Sequence, residues 1–111
     1  MTALPIDLAP TRIDVHADGC TVTVSGEIDA TTAPGLRECL LEVLGRSGTT
    51  SVEVDLTRVT FLDSAGLSAL ATAHRAASAA GSTLQMRVGA TRAVVRPLEI
   101  TGLWDVFTVI G

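Results

Sequence analysis

Hydrophobic and polar residues alternate in two short stretches near the start of the chain. Residues 12–17 and residues 20–25 each place apolar side chains at every second position, and Asp18 and Gly19 lie between them. Alternation is typical of a strand with one buried face, and Asp-Gly is a common hairpin turn. The pattern therefore predicts a β-hairpin.

Two later segments repeat apolar residues at the spacing of an α-helix. The first has apolar side chains at i, i+4, i+7 and i+8 from Leu36, with a threonine as its N-cap, Pro34 in its first turn and Gly45 at its end. The second begins near Ser64, which we expect to be its N-cap, and ends at Gly81. Both patterns predict amphipathic helices.

The remaining patterns complete an alternating order of strands and helices. Residues 52–56 and 84–88 alternate as strands do, and residues 91–101 predict a third helix, kinked because Pro97 cannot donate to the carbonyl four residues earlier. Residues 106–110 predict a short edge strand. The expected order is two strands, then helix, strand, helix, strand and helix, with this short strand at the end.

This order predicts an α/β fold. Strand–helix–strand steps imply parallel neighbours joined by right-handed crossovers, and alternating rather than continuous apolar strands imply helices on one face. We expect a single domain over residues 1–111, with residues 1–11 as an N-terminal extension or edge segment. Its sheet should be mixed, mostly parallel and four- to five-stranded, with the helices packed mainly on one face.

Parallel strands bring their carboxyl ends to one edge of the sheet, where ligands and partners commonly bind. If the second and third strands are parallel, residues 26–29 and residues 62–64 both lie there. We call this the carboxyl edge. It is the first place to look for a functional site.

Composition narrows the classes of function. Hydrophobic residues make up 47% of the chain and aromatic residues 3%, so the core should be aliphatic. The net charge of −4, with eight scattered arginines and no lysine, disfavours a nucleic-acid-binding face. No apolar run is long enough to span a bilayer, and the start lacks the basic region of a signal peptide. We therefore expect a cytoplasmic protein without membrane contact.

Two cysteines and two histidines do not form a recognisable chemical constellation. Cys20 and Cys39 are expected to be reduced and buried, and no metal or other cofactor is expected. A hydrolase with Ser64 as nucleophile is disfavoured, because His74 lies about 15 Å further along the same predicted helix. His16 falls on the polar face of the first strand, and no oxyanion-type glycine-rich turn accompanies the serine. We do not expect an enzyme.

The junction before the second helix is the most informative segment. Ser64 as N-cap would accept a hydrogen bond from the backbone of Gly66 or Leu67. Gly66 in the first turn costs about 1 kcal/mol of helix propensity, which indicates that another segment or a partner approaches the backbone closely there. On these residues alone, Ser64 is readable as a simple cap and Asp63 as a loop residue.

A family resemblance adds to this interpretation. Asp55-Leu56-Thr57, residues 61–67 (Phe-Leu-Asp-Ser-Ala-Gly-Leu), residues 25–29 followed by Thr32 and Ala33, and residues 100–103 with Phe107 occur in register. Together they resemble the anti-sigma-factor antagonists of the STAS-domain family. The similarity extends from about Arg12 to Val109.

The resemblance implies a phosphorylation switch. Ser64 would be phosphorylated by a partner kinase that is also the anti-sigma factor, and a phosphatase would reverse the modification. The unphosphorylated form would bind the anti-sigma factor and release a sigma factor. The implied partner-binding residues surround the acceptor: Glu27, Asp29, Asp63, Ser64, Ala65, Gly66 and Ser68. Two of these residues depart from the family's pattern. Position 65 is often Ser or Thr but is Ala65 here, and position 68 is often Gly but is Ser68 here.

Other members of the same family leave an alternative open. This chain would then be a scaffold subunit of a stress-signalling complex or the cytoplasmic STAS subunit of an ABC transporter, without phospho-switching. The Asp63-Ser64 pair followed by Gly66 and Leu67 favours the antagonist.

Overall fold

The computed structural model describes residues 13–18, 20–46, 48–106 and 108–110, with side chains over 20–46 and 48–105. The predicted extension at residues 1–11 lies outside these ranges. The elements follow in the order β1 (Ile13–Asp18), β2 (Thr21–Ile28), α1 (Ala33–Leu44), β3 (Ser51–Leu62), α2 (Ser64–Ala79), β4 (Thr83–Arg87), α3 (Arg92–Ile100), α4 (Leu103–Val106) and β5 (Thr108–Ile110).

The strands form one mixed sheet in the order β1-β2-β3-β4-β5. The β1–β2 hairpin is antiparallel, and each of the three remaining pairs is parallel. The predicted hairpin and parallel crossovers are therefore present. The short helix α4 was not predicted, because four residues are too few to show a helical period.

The core lies on one face of the sheet. Buried residues alternate along β2 and β4 and along the first half of β3, and they form one cluster with apolar residues of the three longer helices. The innermost members include Val22, Val24, Leu36, Leu40, Val54, Leu70, Met86 and Leu98. On the other face, polar side chains such as Glu53 and Arg87 are partly exposed and form an ion pair of 3.0 Å. Burial of aliphatic side chains on this face is the largest favourable contribution to folding.

Strand β3 extends well beyond the predicted residues 52–56. The sequence pattern did not show the rest of the strand, because two bulges interrupt the alternation of buried and exposed residues. Its pairing with β2 shifts by one residue between Thr23 and Ser25, and again after Gly26, which has a φ of +101°. Each bulge adds one residue to β3 and turns the following side chains. Buried positions are consequently three residues apart at Leu56, Val59 and Leu62.

The first bulge is held by the Asp55-Leu56-Thr57 motif. One carboxylate oxygen of Asp55 accepts hydrogen bonds from the Thr57 backbone N–H at 2.9 Å and from its hydroxyl at 2.6 Å. Partial burial raises the pKa of Asp55, but the bonds from Thr57 and the charges of Arg87 and Arg58 bring it below the ordinary value. The motif thus has a local structural role.

The expectation that both cysteines are buried is wrong for Cys20. Both thiols are free, but Cys20 is exposed and Cys39 is half-buried against the core. Cys20 lies in the turn that precedes β2, and not in a strand or helix that packs against the core. Burial and the nearby Glu42 raise the pKa of the Cys39 thiol, although Arg46 acts in the opposite direction.

Candidate partner-binding and modification site

The ends of β2 and β3 lie side by side, as the parallel topology predicted. Glu27 pairs with Phe61 and Ile28 pairs with Leu62, and the backbone N–H of Asp63 donates to the carbonyl of Ile28 at 3.1 Å. The chain segments that leave these two strands therefore start at the same edge. Residues 35 positions apart in sequence are brought together there.

Asp63, not Ser64, is the N-cap of α2. Its extended backbone places one carboxylate oxygen to accept from the N–H of Ala65 at 2.9 Å and of Gly66 at 3.3 Å. The predicted cap is thus displaced by one residue, because aspartate caps a helix as well as serine does and β3 ends directly before it. Ser64 becomes the first residue of the helix.

This shift leaves the Ser64 hydroxyl exposed. It makes no hydrogen bond with any residue that the structure describes, whereas a capping serine would be engaged with the backbone. The residue lies at the N-terminus of a 16-residue helix, where backbone N–H groups and the helix dipole favour negative charge. An accessible hydroxyl in such a place can accept a phosphoryl group without disturbing the cap.

Gly66 is buried because the core approaches the first turn of α2 closely. A Cβ atom at this position would lie 2.7 Å from Cγ2 of Ile28 and closer still to Cδ1 of Leu62. The close approach inferred from the sequence is therefore made by the protein's own β2 and β3. Gly66 lets α2 lie against the strand ends and so determines where Ser64 is presented.

Asp29 is engaged in the turn between β2 and α1. Its carboxylate accepts from the backbone N–H groups of Thr31 at 2.9 Å and Thr32 at 3.2 Å. Thr32 occupies the predicted N-cap position of α1, but its hydroxyl donates to the carbonyl of Glu27 at 2.9 Å and does not cap the helix. Changing Asp29 would therefore disturb the turn as well as the charge of the carboxyl edge.

Glu27 and Phe61 form the outer part of the carboxyl edge. The two residues are opposite each other in the sheet, Glu27 is partly exposed, and 43% of the Phe61 surface is accessible. Exposed aromatic rings are common anchors of protein interfaces. The sequence motif contained Phe61 but gave no sign of its exposure, which follows from the second bulge.

A groove separates the N-terminal turns of α1 and α2. Its volume is about 190 Å³, and it is lined by Ala30, Ala33, Pro34, Arg37, Ala65, Ser68 and Ala69. We call it the α1–α2 groove. It brings the predicted partner-binding residues Ala65 and Ser68 against α1 and adds Arg37, which the sequence did not single out.

The fold and this edge define a class: a small α/β domain that presents an exposed serine at a helix N-terminus beside two acidic strand ends. The chain belongs to the STAS domain family, since the family profile described as "Mlab, STAS domain" matches residues 11–110.

Similar proteins agree with this assignment. The anti-sigma-B factor antagonist of Listeria monocytogenes is 35% identical over 92 residues, which are 83% of this chain and 79% of that protein. An anti-sigma factor antagonist from Mycobacterium paratuberculosis has a crystal structure with a TM-score of 0.77 and 32% identity, covering 91% of this chain and 87% of that one. The antagonist SpoIIAA in its unphosphorylated form has a TM-score of 0.66 at 14% identity, covering 90% and 88%, and this likeness concerns the fold alone.

Proposed function

We propose that this chain is an anti-sigma-factor antagonist whose binding is switched by phosphorylation of Ser64. The observation that carries the proposal is the exposed, unengaged hydroxyl of Ser64 beside a cap supplied by Asp63. The unmodified chain binds an anti-sigma factor with serine kinase activity and thereby frees a sigma factor. The phosphorylated chain does not bind, and a phosphatase restores it. Curated relatives that are anti-sigma-B factor antagonists support this function.

The electrostatics of the carboxyl edge make such a switch reasonable. A phosphate adds nearly two negative charges, which the N-terminus of α2 tolerates. The same charges would lie beside Asp63 in a surface that loses water when the partner binds. Repulsion by Asp63 and the cost of desolvating the phosphate would therefore make the binding free energy less favourable. A change of about 4 kcal/mol would weaken binding about a thousandfold.

The proposed contact surface contains Glu27, Asp29, Asp63, Ser64, Ala65, Gly66 and Ser68. Gly66 contributes through the position it gives α2, since it is itself buried. Glu27 is the best probe of the acidic part, because its side chain makes no hydrogen bond or ion pair among the described residues.

Kinase assays with mapping of the phosphorylated residue test the acceptor. The source organism's anti-sigma factor kinases, each purified, are incubated with ATP and with wild type, Ser64→Ala or Ser68→Ala. We expect phosphate on Ser64 in the wild type and in Ser68→Ala, and none in Ser64→Ala. Phosphate on Ser68 or Thr60 would contradict the assignment.

Binding of the same purified anti-sigma factors tests the surface. Ser64→Glu should weaken binding with an unchanged melting temperature, because the new carboxylate lies at a favourable helix end. Glu27→Lys should slow association and alter its salt dependence. Glu42→Lys, at the exposed far end of α1, is the matched control and should bind normally. Equal effects of the two lysine variants would place the interface elsewhere.

A scaffold subunit or a transporter subunit of the STAS family would have the same fold, but this alternative function predicts different binding results. Such a chain would bind none of the anti-sigma factors and would keep its partners after Ser64→Glu. Catalysis is not proposed, since ten helical residues separate Ser64 from His74 on α2, about 15 Å. We also propose that the protein acts in the cytoplasm.

A further inference from the structure

The α1–α2 groove has one charged residue in its wall. Arg37 is exposed, and its guanidinium forms neither a hydrogen bond nor an ion pair with any residue that the structure describes. The other lining side chains are alanines, one proline and one serine. Arg37 therefore has a guanidinium available for binding, above a groove whose other lining residues are uncharged. The proposed phosphorylation switch at Ser64 does not involve this group.

Helical spacing gives the groove its shape. Ala33 and Arg37 are four residues apart on α1, and Ala65 and Ala69 are four apart on α2, so each pair lies on one helix face. Ala33 and Ala69 are 4% and 5% exposed and form the floor, while Pro34, Arg37 and Ser68 lie at the rim. A volume of about 190 Å³ equals that of about six waters, which is room for one side chain of a partner.

The charges around the groove select the kind of side chain. The neighbouring carboxyl edge carries Glu27, Asp29 and Asp63, so a partner must present mainly cationic or neutral groups there. Arg37 reverses this requirement at one point. Guanidinium groups bind carboxylates with two parallel hydrogen bonds, which gives both attraction and orientation.

We propose that the α1–α2 groove receives an acidic side chain of the anti-sigma factor and that Arg37 pairs with its carboxylate. The inference rests on the proposed function and adds to it a partner residue of stated chemistry. A partner with an acidic group at this point and basic groups toward Glu27 docks in one orientation, and one with only basic groups is repelled. Arg37 thereby contributes to the choice among anti-sigma factors.

Calorimetric titration of the purified anti-sigma factors tests the charge. Arg37→Glu should weaken binding about tenfold or more, and Arg37→Lys should lose less because it keeps the charge but not the fork. The matched control is Arg75→Glu, the same change at an exposed position of α2 outside the groove. It should bind like the wild type.

Filling the groove tests its volume separately. Ser68→Phe should weaken binding about tenfold or more, whereas Ser78→Phe, an exposed position near the other end of α2, should not. Circular dichroism must show each variant folded. Exchanging one acidic residue of the anti-sigma factor for arginine should restore binding to Arg37→Glu and would identify the paired carboxylate.

The two proposals fail in different ways. If the wild type binds an anti-sigma factor and Arg37→Glu binds as tightly as Arg75→Glu, the groove inference is overturned and the proposed function stands. A wild-type dimer that Arg37→Glu dissociates would also overturn it, because the occupant would be a second copy of the chain. If the wild type binds no anti-sigma factor, both proposals fall.

Discussion

Replacing Asp63 with alanine separates capping from modification at the start of α2. The carboxylate accepts two backbone hydrogen bonds, at 2.9 and 3.3 Å, and alanine can accept neither. Loss of an N-cap acceptor typically costs about 0.5–2 kcal/mol, and the helix dipole places this carboxylate in the upper half of that range. For a domain of this size, about 1–2 kcal/mol lowers the melting temperature by about 4–8 °C.

Ser64→Ala is the contrasting variant. Because the Ser64 hydroxyl is exposed and makes no hydrogen bond with the described residues, its removal should change the free energy of unfolding by less than about 0.5 kcal/mol. Asp63→Asn keeps an acceptor oxygen, so its loss of stability should lie between those of Ser64→Ala and Asp63→Ala.

Urea unfolding followed by circular dichroism measures all three variants against the wild type. The midpoints should shift while the slope stays constant, since the surface exposed on unfolding is the same. A Ser64→Ala variant destabilised as much as Asp63→Ala would refute the assignment of the cap. The exposed hydroxyl would then lose its significance for modification.

Three further results are expected. Gly66→Ala should lower stability by about 1–3 kcal/mol through overpacking, whereas Gly35→Ala, with no atom within 4 Å of the new methyl, should be neutral or slightly stabilising in a urea titration. In an NMR titration Asp55 should have a pKa below its ordinary value, so its contribution to stability is present above the unfolded pKa and is lost as pH falls through the folded pKa. A thiol reagent should label exposed Cys20 before Cys39, whose raised pKa reduces its thiolate fraction, and mass mapping of partly labelled protein checks the order.

Local patterns were sufficient for most of the architecture. The apolar spacing of α1 and α2, the alternation of β2 and the Asp-Gly hairpin signal each depend on residues close in sequence. Strand–helix–strand order then favours parallel neighbours in the sheet, and parallel neighbours bring residues 26–29 beside residues 62–64. Two of the family motifs, residues 25–29 and residues 61–67, lie at the same edge.

Such local patterns could not predict the full length of β3. After Leu56 its buried residues are three apart, a spacing that does not indicate a strand, and only pairing with β2 accommodates the two extra residues as bulges. These bulges determine the exposure of Phe61. The signal was present in the chain as hydrophobic residues without a recognised period, and its meaning depended on a neighbouring strand.

The site divides in the same way. The sequence by itself determined that an aspartate and a serine lie at the start of α2, that Gly66 needs a close neighbour, and that acidic residues lie next to the ends of β2 and β3. Tertiary structure decided that Asp63 takes the backbone bonds and leaves Ser64 exposed, that the close neighbour is the protein's own core, and that Arg37 lines the α1–α2 groove with Ser68. The physical reason is that composition and period describe one segment at a time. Capping, burial and charge pairing depend instead on which atoms of distant segments come within a few ångströms of each other.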